Sequence, residues 1–158
     1  MKKMILLLFA IASFLIDVNA QEYKIITTVE SIVPAGIGRS RMIENHSEQN
    51  AADLTTTRTD GKTSDQKNVK RKRAKVDNFS ETKLLNFYSL AGINFQNVAS
   101  NDAIVADRLS KLSKEGWELV FVTSGVESDG GETDSNGIFI TRYIFKRSNK
   151  GFTKPETK

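Results

Sequence analysis

Apolar and polar positions alternate from Glu22 to Ile32. Tyr23, Ile25, Thr27 and Val29 stand against Glu22, Lys24, Thr28 and Glu30, the two-residue period of a half-buried strand, and Pro34 and Gly36 end it. Towards the C-terminus the period becomes helical. Ile104, Val105, Arg108, Leu109 and Leu112 share one side, with Asp107, Lys111, Lys114 and Glu115 outside it. This predicts a helix capped by Asn101 or Asp102 and running to about Glu115, with Asp102 at its positive end and Lys111 and Lys114 near its negative end. Gly116 then takes the left-handed position after the helix, and Trp117 can fold back on Leu112 or Leu109 in a Schellman cap.

Two strands follow. Trp117 to Thr123 places Trp117, Leu119, Phe121 and Thr123 on one face and Val120 and Val122 on the other. Gly137 to Arg147 sets Ile138, Ile140 and Ile144 against Phe139, Tyr143 and Phe145, and the polar residues Glu127 to Asn136 connect the pair. Arg39 to Ile43 and Lys83 to Leu90 read as strands that pair as a hairpin. The expected fold class is α+β: a mainly antiparallel sheet of three to five strands, one principal helix and a long flexible insertion. The last two strands are apolar on both faces, whereas one helix covers only one face of a sheet. The segment Leu84 to Val98 is the expected cover for the other face, and a homodimer is the alternative.

The stretch from Glu44 to Asn78 has a different character. Leu54, Val69 and Val76 are its only apolar residues larger than alanine, too few to offset the entropy of ordering it, so it reads as a mobile loop over residues 44–78. A loop of that length is either functional or an insertion. At the N-terminus, Met1-Lys2-Lys3 is a positive start, Met4 to Ile16 an apolar run, and Val18-Asn19-Ala20 a small-x-small cleavage site. Together they read as a signal peptide, residues 1–20, cleaved after Ala20. The apolar run is well short of the roughly 20 residues that span a bilayer, so no membrane anchor is expected after cleavage. The expected compartment is the periplasm or the medium. Residues 21–150 then form a single domain, and 151–158 a polar tail that frays.

Three segments carry a resemblance. Tyr23-Lys-Ile-Ile, then Leu109-x-x-Leu112-x-x-Glu115-Gly-Trp-Glu-Leu-Val120, then Tyr143-Ile-Phe-Lys-Arg147 resemble a family of small bacterial proteins of unknown function (the domain-of-unknown-function 4177 type). The resemblance covers the first strand and the C-terminal third. It implies a helix packed on an antiparallel sheet and carries no activity to transfer. The export signal and the residues between Ile32 and Asn101 depart from it.

Composition narrows the chemistry. Among 158 residues there is no cysteine, which excludes disulfides, zinc–thiolate sites and thiol nucleophiles, and His46 is the one histidine. The formal charge of +4 is modest. Six cations cluster in Lys67, Lys70, Arg71, Lys72, Arg73 and Lys75, a candidate site for phosphates or an anionic polymer. No aromatic residue interleaves them, so nucleic acid is disfavoured as a partner. Asp129, Glu132, Asp134 and Asn136 offer oxygen ligands in the manner of a calcium loop, but Tyr143 stands where its bidentate glutamate belongs. Glu44, Ser47 and Glu48 flank His46 without forming a triad by sequence alone. No cofactor is expected. The expected function is that of an exported, non-catalytic interaction module meeting an envelope protein or an anionic polymer. The alternatives are a small envelope hydrolase or metal-assisted enzyme, which needs a pocket at His46 or Glu118, and a polyanion binder using the basic run.

Overall fold

A computed structural model of the chain describes residues 21–32, 39–89, 91–126 and 138–148. The signal segment 1–20, the acidic connection with Asp129, Glu132, Asp134 and Asn136, and the tail 151–158 lie outside the described residues. The protein is α+β. Strands β1 (Gln21–Ser31), β2 (Arg41–Asn45), β3 (Phe79–Lys83), β6 (Glu118–Val126) and β7 (Ile138–Ser148) form one antiparallel sheet in the order β3-β2-β1-β7-β6. Strands β4 (Tyr88–Ser89) and β5 (Gly92–Ile93) make a small separate hairpin. The sheet's backbone is the β1–β7 ladder, in register from Gln21 opposite Ser148 to Ser31 opposite Ile138.

One helix, Phe95–Lys114, packs on the sheet. Ile26, Met42 and Phe145 from the sheet meet Leu112 of the helix, together with Leu84 and Trp117, and Ile104, Leu109 and Tyr143 pack against that core. The helix begins about two turns before the position predicted from the apolar period. Asn94 is its cap, the side chain accepting from the Asn97 amide. Asn101 is instead buried inside the helix, where its side-chain amide replaces a missing strand partner. Its Oδ1 accepts from the Leu85 amide at 2.8 Å, and its Nδ2 donates to the Leu85 carbonyl at 2.8 Å and to Glu30 at 2.9 Å. Burial pushes the Glu30 carboxyl up, and the Asn101 hydrogen bond only partly counters it.

That amide holds a strap. Residues Leu84–Phe87, expected to be strand, leave the sheet after Lys83 and cross on the helix side. The Leu84 amide bonds to the Ser40 carbonyl and the Phe87 amide to the Ser31 carbonyl. Ser40 Oγ accepts from the Ser31 amide and donates to Asn86, whose carbonyl accepts from Asn97 of the helix. The segment expected to cover the second face of the sheet therefore packs on the first. The strap is buried, so its backbone polar groups need partners, and two serines and three asparagines supply them.

At its other end the helix closes on a Schellman turn. The Trp117 amide bonds to the Leu112 carbonyl and the Gly116 amide to Ser113, both at 3.0 Å, with Gly116 at φ = +86°. Only glycine adopts that conformation without Cβ strain. The insertion between β2 and β3 contains 3-10 turns at Ala51–Leu54 and Gln66–Asn68 and one helical turn at Arg71–Ala74, with no buried residue in any of them. Replacing Asn101 by alanine leaves the Leu85 amide and carbonyl unpaired in the interior, and the expected loss is about 2–3 kcal/mol. Urea unfolding measures it. The exposed control Ser110→Ala should stay within about 0.5 kcal/mol of the native chain.

Candidate interaction surface

Alternation along each strand divides the sheet into two faces of opposite fate. On the helix side Ile26, Thr28, Met42 and Phe145 are almost wholly buried. On the opposite face Tyr23, Ile25 and Phe121 leave 61, 49 and 59 % of their surface in solvent. Ile43, Ile140 and Ile144 lie between them, half-buried by their neighbours in the sheet. The helix and the strap Leu84–Phe87 pack on the other face.

A bulge at β6 sharpens the difference. Leu119 stands opposite Phe145 but Phe121 opposite Ile144, so one extra residue, Val120, interrupts the ladder. The simple alternation predicted for this strand puts Leu119 and Phe121 together. The bulge separates them, sending Leu119 and Val122 to the helix side and Phe121 to the open face. All nine residues of β6 are exposed. Glu118 is the strand's one charged side chain, and it pairs with Lys146 at 3.4 Å. Exposed apolar edges of this length are normally guarded by charge or proline.

The open face is also cationic. Its register brings Arg41, Lys83, Arg142 and Lys146 to the same side as Glu81 and Glu118. Arg142 lies in the middle, with Thr27 and Thr123 across the ladders and Ile140 and Ile144 along its own strand. No acidic side chain pairs with it among the described residues.

On the helix side the charges are internally satisfied. Glu44, buried on β2, accepts from Arg108 through both oxygens, at 2.8 and 2.9 Å, and from Lys24 at 2.9 Å. Arg108 also reaches Glu115 at 3.2 Å. Burial by itself would raise the Glu44 carboxyl, but the two cations outweigh it and hold the group below its ordinary range. The Lys24 ammonium and the Arg147 guanidinium both stand over Trp117, 5.2 and 4.4 Å from a ring centroid, and Arg147 pairs with Glu22 at 2.9 Å. Tyr23-Lys24, Glu115 to Val120 and Tyr143 to Arg147 therefore converge on one indole. They mark the scaffold, and the open face is a separate surface.

The remaining candidates fall in three places. Lys67, Lys70, Arg71, Lys72, Arg73 and Lys75 are all exposed in the insertion between β2 and β3. The four oxygen ligands of the acidic connection are outside the described residues, and among the described residues no group of three or more metal-ligating side chains gathers. His46 lies just past β2, and its Nε2 is 2.7 Å from Ser80 Oγ. Sequence neighbours gave no hint of this pair, because only the β2–β3 register brings positions 34 residues apart together. A cleft of about 720 Å³ opens beside His46, between Glu22–Ile25 of β1 and Asn45–Gln49, where the chain turns away from its partner strand. Glu118 is exposed and ion-paired, and that cleft does not include it. No protein-family model, curated protein or solved structure matches this chain.

The Glu44 network has a pH signature. Its folded carboxyl titrates below the unfolded value of about 4.5, so its contribution is complete above that pH and fades as the pH falls through the folded value. Thermal midpoints measured from pH 7 to pH 3 should fall more steeply for the native chain than for Glu44→Gln, in which that titration is absent.

Proposed function

We propose that this chain is an exported, non-catalytic interaction module of the cell envelope or secreted fraction, and that the open sheet face with the adjoining β6 strand is the surface it uses. The three-part N-terminal segment, in the order charge, apolar run and small-residue site, supports export. Among the described residues no helix is long and apolar enough to cross a membrane. The observation that carries the reading is the contrast between faces: large apolar side chains are exposed on one, while on the other the Glu44 carboxylate is buried and paired with Arg108 and Lys24. Contiguous exposed apolar surface of this kind marks a contact surface.

A photo-reactive phenylalanine analogue tests it when placed at Phe121 in the full-length chain and irradiated in cells. Position 121 should form adducts, recovered in the envelope or medium fraction, well above those from an analogue at Asp107 on the outer side of the helix. Equal yields at both positions would overturn the proposal.

The His46–Ser80 pair favours a second reading, a hydrolase with Ser80 as nucleophile and His46 as base. The Nε2–Oγ distance is that of such a pair. Among the described residues no carboxylate hydrogen-bonds the histidine ring to orient it, and both side chains are exposed, which weakens the case for an activated hydroxyl. A fluorophosphonate probe separates the readings: labelling that disappears in Ser80→Ala and in His46→Gln supports the hydrolase, and an unlabelled native chain removes it.

A further inference from the structure

We propose that the open sheet face docks on an anionic lipid surface, with Arg142 meeting headgroup phosphates while Tyr23, Ile25 and Phe121 enter the boundary between headgroups and acyl chains. This rests on the reading of the open face as the contact surface and names what that surface contacts.

Charge complementarity selects the occupant. The face carries Arg41, Lys83, Arg142 and Lys146 against Glu81 and Glu118, a surplus of two positive charges spread among apolar side chains. Against a dry protein partner, Arg142 would need a carboxylate at a matching position, because an unpaired buried charge is strongly destabilising. A second copy packed face to face would set the same surplus of two positive charges against this one, with only Glu81 and Glu118 on each copy to offset four cations. An anionic bilayer has neither difficulty. Its negative charge is distributed, its headgroups reach any cation on the face, and its apolar layer lies a few ångströms below them. Long arginine and lysine side chains suit that boundary, since their stems lie along apolar surface while their heads stay with phosphate and water. The exposed rings at Tyr23 and Phe121 supply the amphipathic and apolar anchors such a boundary takes up.

The test is flotation of the mature chain with vesicles of phosphatidylcholine, with and without 30 % phosphatidylglycerol. Binding should require the anionic lipid, weaken with salt and resist millimolar inorganic phosphate. Arg142→Glu should lower the affinity about thirty-fold, the worth of two elementary charges at such a surface, and Phe121→Ser by about tenfold. Both positions are exposed, so circular dichroism should show each variant folded. Neutralising Lys70 to Arg73 together should leave most of the binding, since those residues lie in the insertion. The proposal is overturned if the chain ignores the vesicles, binds neutral and anionic vesicles alike, or loses binding only when Lys70 to Arg73 are neutralised. Adducts at position 121 that contain protein alone, together with absent flotation, would overturn the lipid partner and leave the interaction surface standing.

Discussion

One helix has to cover a sheet that is wider than it is. A helix with its side chains is about 10 Å across, whereas five strands set ~4.8 Å apart make a sheet about twice that wide. The helix therefore seals the centre of one face, over β1, β2 and β7, and leaves the margins to other means. On the β2 side and at the far ends of these strands the strap Leu84–Phe87 fills the gap, anchored by Asn101 and Ser40. On the β6 side nothing described fills it, and the strand is exposed along its full length. The exposure of β6 follows from that mismatch in width, and the exposure of Tyr23 and Ile25 from the helix and the strap lying together on the other face.

Trp117 fixes where the helix ends and the sheet margin begins. Its amide closes the Schellman turn, its ring joins the core, and Lys24 and Arg147 stand over it. The indole thus links the helix end to both strands of the central ladder. Cation–π contacts of this kind contribute about 0.5–2 kcal/mol each, less where water reaches the cation. The Glu44–Arg108–Lys24 cluster continues the link to β2. Charge on the helix side is thereby consumed in holding the scaffold together, while Arg142 on the open face has no acidic partner among the described residues.

Much of the scaffold was legible in the sequence. The alternation over β1 and β7 and the cap at Gly116 and Trp117 depend on neighbours a few residues apart, and local rules capture such features. The helix start was misread because Asn101 has the residue type of a cap, and a buried asparagine bonded to Leu85 looks the same in sequence. The strap was misread as strand for a related reason: Leu84 to Phe87 has apolar residues enough for either, and the hydrogen bonds that decide come from Ser31, Ser40 and the helix. The candidate surface was half visible. An uncovered apolar face could be inferred from counting faces, but Arg142 and the bulge at Val120 could not.

The sequence by itself determined the two periods, the polar insertion, the absence of thiol chemistry and the alternating faces of β1 and β7, because each is a property of adjacent residues and of composition. Only the tertiary structure decided which face is buried, that the strap lies with the helix, that Leu119 and Phe121 part company, and that His46 meets Ser80. Those outcomes depend on register between distant strands and on the relative widths of a helix and a sheet. Periodicity marks two faces of a strand as different but assigns neither to the interior, since that choice is made only when the layers pack.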